Sequence, residues 1–167
     1  MARSLATRYL GRSLAVRLLT LLVEVMIIRE LELADYNRGF CDVLSVLSPC
    51  VLTYPEFHHL WYKLLHFRAG FRQTYVAVDE GKVVGTATLL IDQKFARRAG
   101  KAANIEDVAV LPAMQGKGVG KQLIQHLVEE ARKVHCYKVI LSCAEGNTGF
   151  YEKNGFRRHE VTMRIDL

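Results

Sequence analysis

Gln115-Gly116-Lys117-Gly118-Val119-Gly120-Lys121 follows the apolar run Val108-Ala109-Val110-Leu111 and opens an amphipathic helical pattern. Three alternate glycines at a strand-to-helix junction leave the backbone amides uncovered, so that they can close around an anion. The helix N-terminus behind them adds a partial positive charge. A diphosphate suits such a loop, and the spacing excludes two kinds. A P-loop would need glycine at 115 and a hydroxyl residue at 122, where Gln115 and Gln122 stand. A dinucleotide fingerprint would need glycine at 121, where Lys121 stands.

Upstream of this loop, Val25–Leu31 is β-branched enough for a first strand. Asp35 then caps a helix whose apolar positions Phe40, Val43, Leu44 and Leu47 follow helical spacing, until Ser48-Pro49 breaks it. Thr53-Tyr54-Pro55-Glu56 reads as a capping box, and the helix beyond it repeats the spacing at Phe57, Leu60, Trp61 and Leu64. Two strands, Thr74–Val78 and Val83–Ile91, are joined by the hairpin signal Asp79-Glu80-Gly81-Lys82. A polar, basic loop from Asp92 to Asn104 leads to a fourth strand, Ile105–Val110. Downstream of the glycines, Leu123, Ile124, Leu127, Val128 and Ala131 line one helix face. Tyr137–Cys143 forms a fifth strand, Asn147–Lys153 a short helix and Val161–Ile165 a last strand. Strands joined by helices favour parallel neighbours, so the order β-α-α-β-β-β-α-β-α-β implies a mixed sheet flanked by helices.

The 167 residues suffice for one domain with a substantial core. Cys41, Cys50, Cys136 and Cys143 form no C-x-x-C pair, which points to a reducing compartment. The six histidines show no ligand spacing, and no metal is expected. The net charge is +6, but Arg3, Arg8, Arg12 and Arg17 lie in an acid-free stretch, and removing those four leaves only +2. No basic stripe interleaved with aromatics appears, so nucleic acid is not the expected partner. Residues 1–24 read either as an N-terminal extension or as a targeting segment, ahead of a domain over 25–167. The apolar run Leu18–Val23 is too short, and too soon interrupted by Glu24, for a membrane span. A cytoplasmic location follows, with organellar import as the alternative that the Arg-rich start leaves open.

With this element order, the Q/R-x-x-G-x-G/A spacing at Gln115–Gly120 resembles the pyrophosphate loop of the GCN5-related N-acetyltransferases, the GNAT superfamily. Within it, the chain is similar to the glucosamine-6-phosphate N-acetyltransferases over nearly all of residues 26–165. The stretches that carry the likeness are Ile105-Glu106-Asp107-Val108-Ala109-Val110 and Cys136-Tyr137-Lys138-Val139-Ile140-Leu141. Asn147-x-x-Phe150-Tyr151-Glu152-Lys153-x-Gly155-Phe156 and Leu89–Phe95 complete it. The resemblance implies a GNAT fold, α/β (α+β), with a splay between strands four and five. It implies direct transfer of acetyl from acetyl-CoA to the amine of glucosamine 6-phosphate in a ternary complex, feeding UDP-N-acetylglucosamine synthesis. It also implies a homodimer. The alternatives are an acetyltransferase for another small amine or a protein amine, and a non-catalytic acetyl-CoA-binding module.

Acetyl transfer needs a neutral amine, a polarised thioester carbonyl and a stabilised thiolate. Main-chain amides around Val108, Ala109 and Val110 are placed to hold the pantetheine and the acetyl oxygen. Gln115, Gly116, Lys117, Gly118, Val119, Gly120 and Lys121 would hold the diphosphate, with Ser142 and Asn147 in the same cofactor set. Tyr151 resembles the family's tyrosine near the sulfur, and a phenol there can donate to the thiolate. Glu106 and Asp107 adjoin on a strand and so are expected on opposite faces, with at least one reaching the substrate. By resemblance, Glu106 and Asp107 contact the amino sugar, Lys94 and Arg97 contact the sugar phosphate together with Tyr137 and Lys138 of the partner protomer, and Ser48, Phe95, Ala96 and Val108 belong to the same substrate set. Three positions depart from the family pattern. Arg97 stands where histidine is common, Ser142 where an acid is common, and Asp166 near an expected arginine.

Overall fold

The computed structural model describes residues 26–66 and 72–167; the N-terminal segment and the start of the expected first strand at Val25 lie outside the described residues. Five strands form one sheet in chain order: β1 (Ile27–Glu30), β2 (Arg72–Asp79), β3 (Lys82–Gln93), β4 (Lys101–Val110) and β5 (Cys136–Leu141). The first four pair antiparallel, and β4 pairs β5 in parallel. The parallel pair demands a crossover, which the helix after the glycines provides.

Four α-helices cover the sheet: α1 (Phe40–Leu44), α2 (Tyr54–His66), α3 (Val119–Lys133) and α4 (Thr148–Lys153). On one face, α3 buries Val119, Leu123, Ile124, Leu127 and Ala131 against Ala77, Ala87, Leu89 and Ile105. On the other, Phe40, Val43 and Phe57 pack on Val76, Val78, Val83 and Ala109. Each fully buried aliphatic side chain contributes about 1.5–3 kcal/mol, so these two layers supply most of the driving force. Because β3 is covered on both faces, its threonines must find partners inside. Thr86 Oγ1 donates to the Tyr75 carbonyl at 2.9 Å, and the Thr74 and Thr88 hydroxyls lie 3.1 Å apart.

Several local expectations shift. The expected helix from Asp35 is a 3₁₀ helix, Leu33–Arg38, which ends at Gly39 in the left-handed conformation before α1 begins. The cap itself is Glu32, not Asp35; Asp35 lies inside the segment and closes a capping box by accepting the Glu32 amide at 2.8 Å, and Arg29 grips it through both oxygens at 2.7 and 2.8 Å. Half of the expected Thr53 box forms, with Glu56 Oε2 accepting from the Thr53 amide and hydroxyl at 2.7 Å each. The expected loop from Asp92 to Asn104 is shortened at both ends: β3 runs to Gln93, β4 starts at Lys101, and a single turn, Ala96–Ala99, lies between. The expected last strand over Val161–Ile165 does not pair with the sheet. Val161, Met163, Ile165 and Leu167 alternate as a strand would, yet each is at least 83% exposed.

One irregularity shapes the site. Opposite β3, Thr86 pairs with Ala109 but Thr88 pairs with Glu106, so β4 takes three steps where β3 takes two. The extra residue is Asp107, whose φ of 53° is left-handed. A bulge of this kind re-aims the side chains that follow it. Asparagine and aspartate tolerate that backbone region better than most residues, which makes Asp107 a suitable occupant.

Candidate active site

Gly116 and Gly118 have φ of 77° and 87°, and a Cβ built on either would meet nothing within 4 Å. The loop therefore faces open space, with its backbone bare toward it. Gln122 makes the first helical bond of α3, its amide donating to the Gly118 carbonyl at 3.0 Å. The amides of Val119, Gly120 and Lys121 ahead of it have no carbonyl a turn earlier to accept them. This donor set, backed by the dipole of a 15-residue helix, fits a diphosphate. Gln115 differs from the rest: its side chain donates to the Val110 carbonyl at 3.1 Å and its amide to Pro112 at 3.2 Å. Both bonds shape the loop. Gly120 is small for another reason, since a Cβ there would press on Phe150 Cζ at 3.3 Å.

Parallel pairing of β4 with β5 ends at Ile105 opposite Leu141. Glu106 to Val110 thus continue without a strand on that side, which is the expected splay. Val108, Val110, Leu111 and Met114 are half-buried around it, and Tyr151 of α4 packs against the same cluster. The Tyr151 ring stacks edge-on against Phe150 and Phe156, with centroids 4.9 and 6.0 Å away. Burial, and secondarily the nearby Cys143 sulfur, push the Tyr151 phenol above its ordinary value. A phenol that holds its proton is a donor, the form that a thiolate leaving group requires.

The bulge overturns the expectation that Glu106 and Asp107 face opposite ways. Both carboxylates meet one cation: Arg72 donates from Nη2 to Asp107 Oδ2 at 3.0 Å, and its Nη1 lies 3.7 Å from Glu106 Oε2. Glu106 Oε1 accepts from Asn104 Nδ2 at 2.8 Å. Strict alternation would have sent Asp107 to the α3 face; the extra residue brings it beside Glu106 instead. A cavity of about 120 Å³ under α2 opens alongside, walled by Leu44, Leu60, Trp61 and Thr88 with Arg72 and Asp107 at one side. The sequence reading missed Arg72 and Asn104. One more step of alternation back from Thr74 would have found the first.

The cationic residues gather elsewhere. Arg97 and Lys138 flank the half-exposed Tyr137 ring, 5.9 and 6.0 Å from its centroid, and Lys94 pairs with Asp92 nearby. The hydrogen bond from Lys94 to Asp92 raises the ammonium pKa and keeps it charged. Arg97, Arg98 and Ala99 are left-handed in succession, and such strain costs about 1–3 kcal/mol per residue. Phe95 and Ala96 of the same turn are exposed. Lys138 stands level with Ala102, four residues before Glu106 on β4. At ~3.4 Å per residue, that separates the cluster from the carboxylates by roughly 14 Å within one chain. Ser48 is exposed in the loop after α1, and Ser142 and Asn147 are exposed beyond β5, where the Ser142 and Thr162 hydroxyls lie 3.0 Å apart. No cluster of metal-ligating side chains occurs among the described residues, and no helix among them is long and apolar enough to cross a membrane.

Comparison with known proteins agrees with this geometry. The acetyltransferase (GNAT) family matches residues 42–156. The chain is 39% identical to glucosamine 6-phosphate N-acetyltransferase 1 of Oryza sativa subsp. japonica over 83% of its own length and 85% of that protein's. The crystal structure of glucosamine-6-phosphate N-acetyltransferase from Arabidopsis thaliana superposes with a TM-score of 0.81 at 34% identity, covering 86% of this chain and 99% of that one. A Trypanosoma brucei acetyltransferase structure is 39% identical with a TM-score of 0.77, covering 85% and 99%.

Proposed function

Because the chain belongs to the acetyltransferase (GNAT) family, we propose that it acetylates the amine of glucosamine 6-phosphate, as the names of its plant relatives describe for them. The observation that carries the reading is the convergence of Glu106 and Asp107 on Arg72 at one side of β4, where the pairing with β5 has ended. In this family the acetyl group comes from acetyl-CoA. The bare amides of Gly116 and Gly118 through Lys121 bind its diphosphate, and the backbone of Val108 to Val110, on the side that β5 no longer covers, aligns the thioester. Asp107, with Glu106 beside it, accepts a hydrogen bond from the attacking amine and fixes its approach. As the amine attacks the carbonyl carbon, the carbon–sulfur bond breaks and Tyr151 donates its phenolic proton toward the departing sulfur. The proton lost by the amine passes to solvent, and solvent returns one to the Tyr151 phenolate.

A homodimer accounts for the cationic cluster. Lys94, Arg97, Tyr137 and Lys138 are too far from Glu106 in one chain to share a hexose phosphate with it, so we assign them to the partner's substrate. The exposed apolar side of residues 161–167 and the open edge of β5 supply a surface for the second copy.

Purified protein given acetyl-CoA and a panel of amines, with free thiol followed, tests the substrate reading. Thiol release should depend on glucosamine 6-phosphate and fall sharply with unphosphorylated glucosamine. Release that requires a polyamine or a peptide instead would overturn it.

A further inference from the structure

Two adjacent carboxylates on one side of a strand repel each other, and their rotamers are unsettled unless something sorts them. Here three groups do so. Asn104 holds Oε1 of Glu106, and the Arg72 fork faces Oε2 of Glu106 while bonding Oδ2 of Asp107. Oδ1 of Asp107 is the carboxylate oxygen left with no partner among the described residues. From this geometry we infer that Arg72 is a positioning residue for acetyl transfer: it sorts the Glu106–Asp107 pair so that Oδ1 of Asp107 faces the substrate amine. The inference rests on the amine-acetylating reading above and deepens it.

Arg72 stands at the first position of β2, on the same face as Thr74, and spans across β3 to reach β4. Its side chain and both carboxylates are between 36% and 42% exposed. An ion pair so wetted adds little to folding, so the arginine's contribution lies in orientation. Guanidinium geometry suits that task, because its planar fork addresses two carboxylates at fixed angles, whereas an ammonium is a single point charge. Arg72 itself is placed to the side of the reacting atoms, and it acts through Asp107.

The test compares the parent chain with Arg72→Gln, Arg72→Lys, Asp107→Asn and the double variant Arg72→Gln/Asp107→Asn. The parent is first assayed with the amine panel. Arg72→Gln should lower kcat/KM for the amine roughly ten- to a hundredfold, the scale set by small misplacements of a reacting group, and Arg72→Lys should recover part of it. The KM for acetyl-CoA and the thermal midpoint should stay at parent values. In the Asp107→Asn background, loss of Arg72 should add nothing further, because the two act as one unit. Parent-like amine kinetics in Arg72→Gln would overturn the assignment. So would additive losses in the double variant, or a fall in thermal midpoint that accounts for the lost activity. If the parent acetylates a different amine, the substrate reading fails and the same variants on that amine still decide Arg72. No transfer to any amine would overturn both.

Discussion

At the scale of single residues the proposed chemistry turns on Tyr151, whose surroundings suit an acid's role. The ring is wedged between Phe150 and Phe156, so the phenol loses water and holds its proton more firmly than a free tyrosine. Since the shift is upward from about 10, the donor form persists across the neutral range, and alkaline loss of activity below pH 10 belongs to other groups. Tyr151→Phe should reduce kcat by roughly a hundredfold, the middle range for a positioned proton donor, while the KM for acetyl-CoA is preserved. Steady-state kinetics on the variant check this, and an unchanged kcat would remove Tyr151 from the mechanism. Legibility differs from residue to residue. The glycines at 116, 118 and 120 announce themselves because few other roles need that spacing. Asp107 does not, since nothing in a run of strand-forming residues marks which one will turn left-handed.

Secondary elements are held by local devices that the sequence signals unevenly. The hairpin between β2 and β3 was legible in Glu80-Gly81, both of which adopt positive φ, as a two-residue turn between twisted strands demands. The first helix was not, because Gly39 splits one apolar pattern into a 3₁₀ helix and a short α-helix. The join is locked by Asp35, fully buried, with Arg29 and Arg38 against it. Burial pulls the Asp35 carboxyl upward, but hydrogen bonds from Arg29 and the Glu32 amide outweigh it and leave the pKa lowered. Its folded pKa lies below the unfolded one, so its contribution is present above about pH 4 and lost as pH falls further. Removing the cation strands a buried charge, at a cost of about 3 kcal/mol. Arg29→Met should therefore unfold at lower denaturant at neutral pH and lose much of the acid dependence between pH 4 and 2. A denaturation midpoint equal to that of the parent would contradict this account of the join.

Across the whole molecule, the mixed sheet flanked by helices was legible because alternation, helix spacing and the glycine loop all point one way, while the splay entered through the family resemblance. The fate of residues 161–167 was not. Their alternation marks a strand, but a strand needs a neighbour, and among the described residues the segment pairs with none. Truncation after residue 159 should therefore convert a dimer to monomer in sedimentation velocity and abolish acetylation of the phosphorylated sugar. An active monomer, truncated or full-length, would contradict a site completed by the partner.

The most direct trial of the central claim is competition. The full chain is incubated with acetyl-CoA and an equimolar mixture of glucosamine 6-phosphate, glucosamine, a polyamine and a lysine peptide, and the products are resolved by mass spectrometry. The account predicts N-acetylglucosamine 6-phosphate as the dominant product, with the unphosphorylated sugar nearly untouched. Preferential acetylation of the polyamine or the peptide would contradict it.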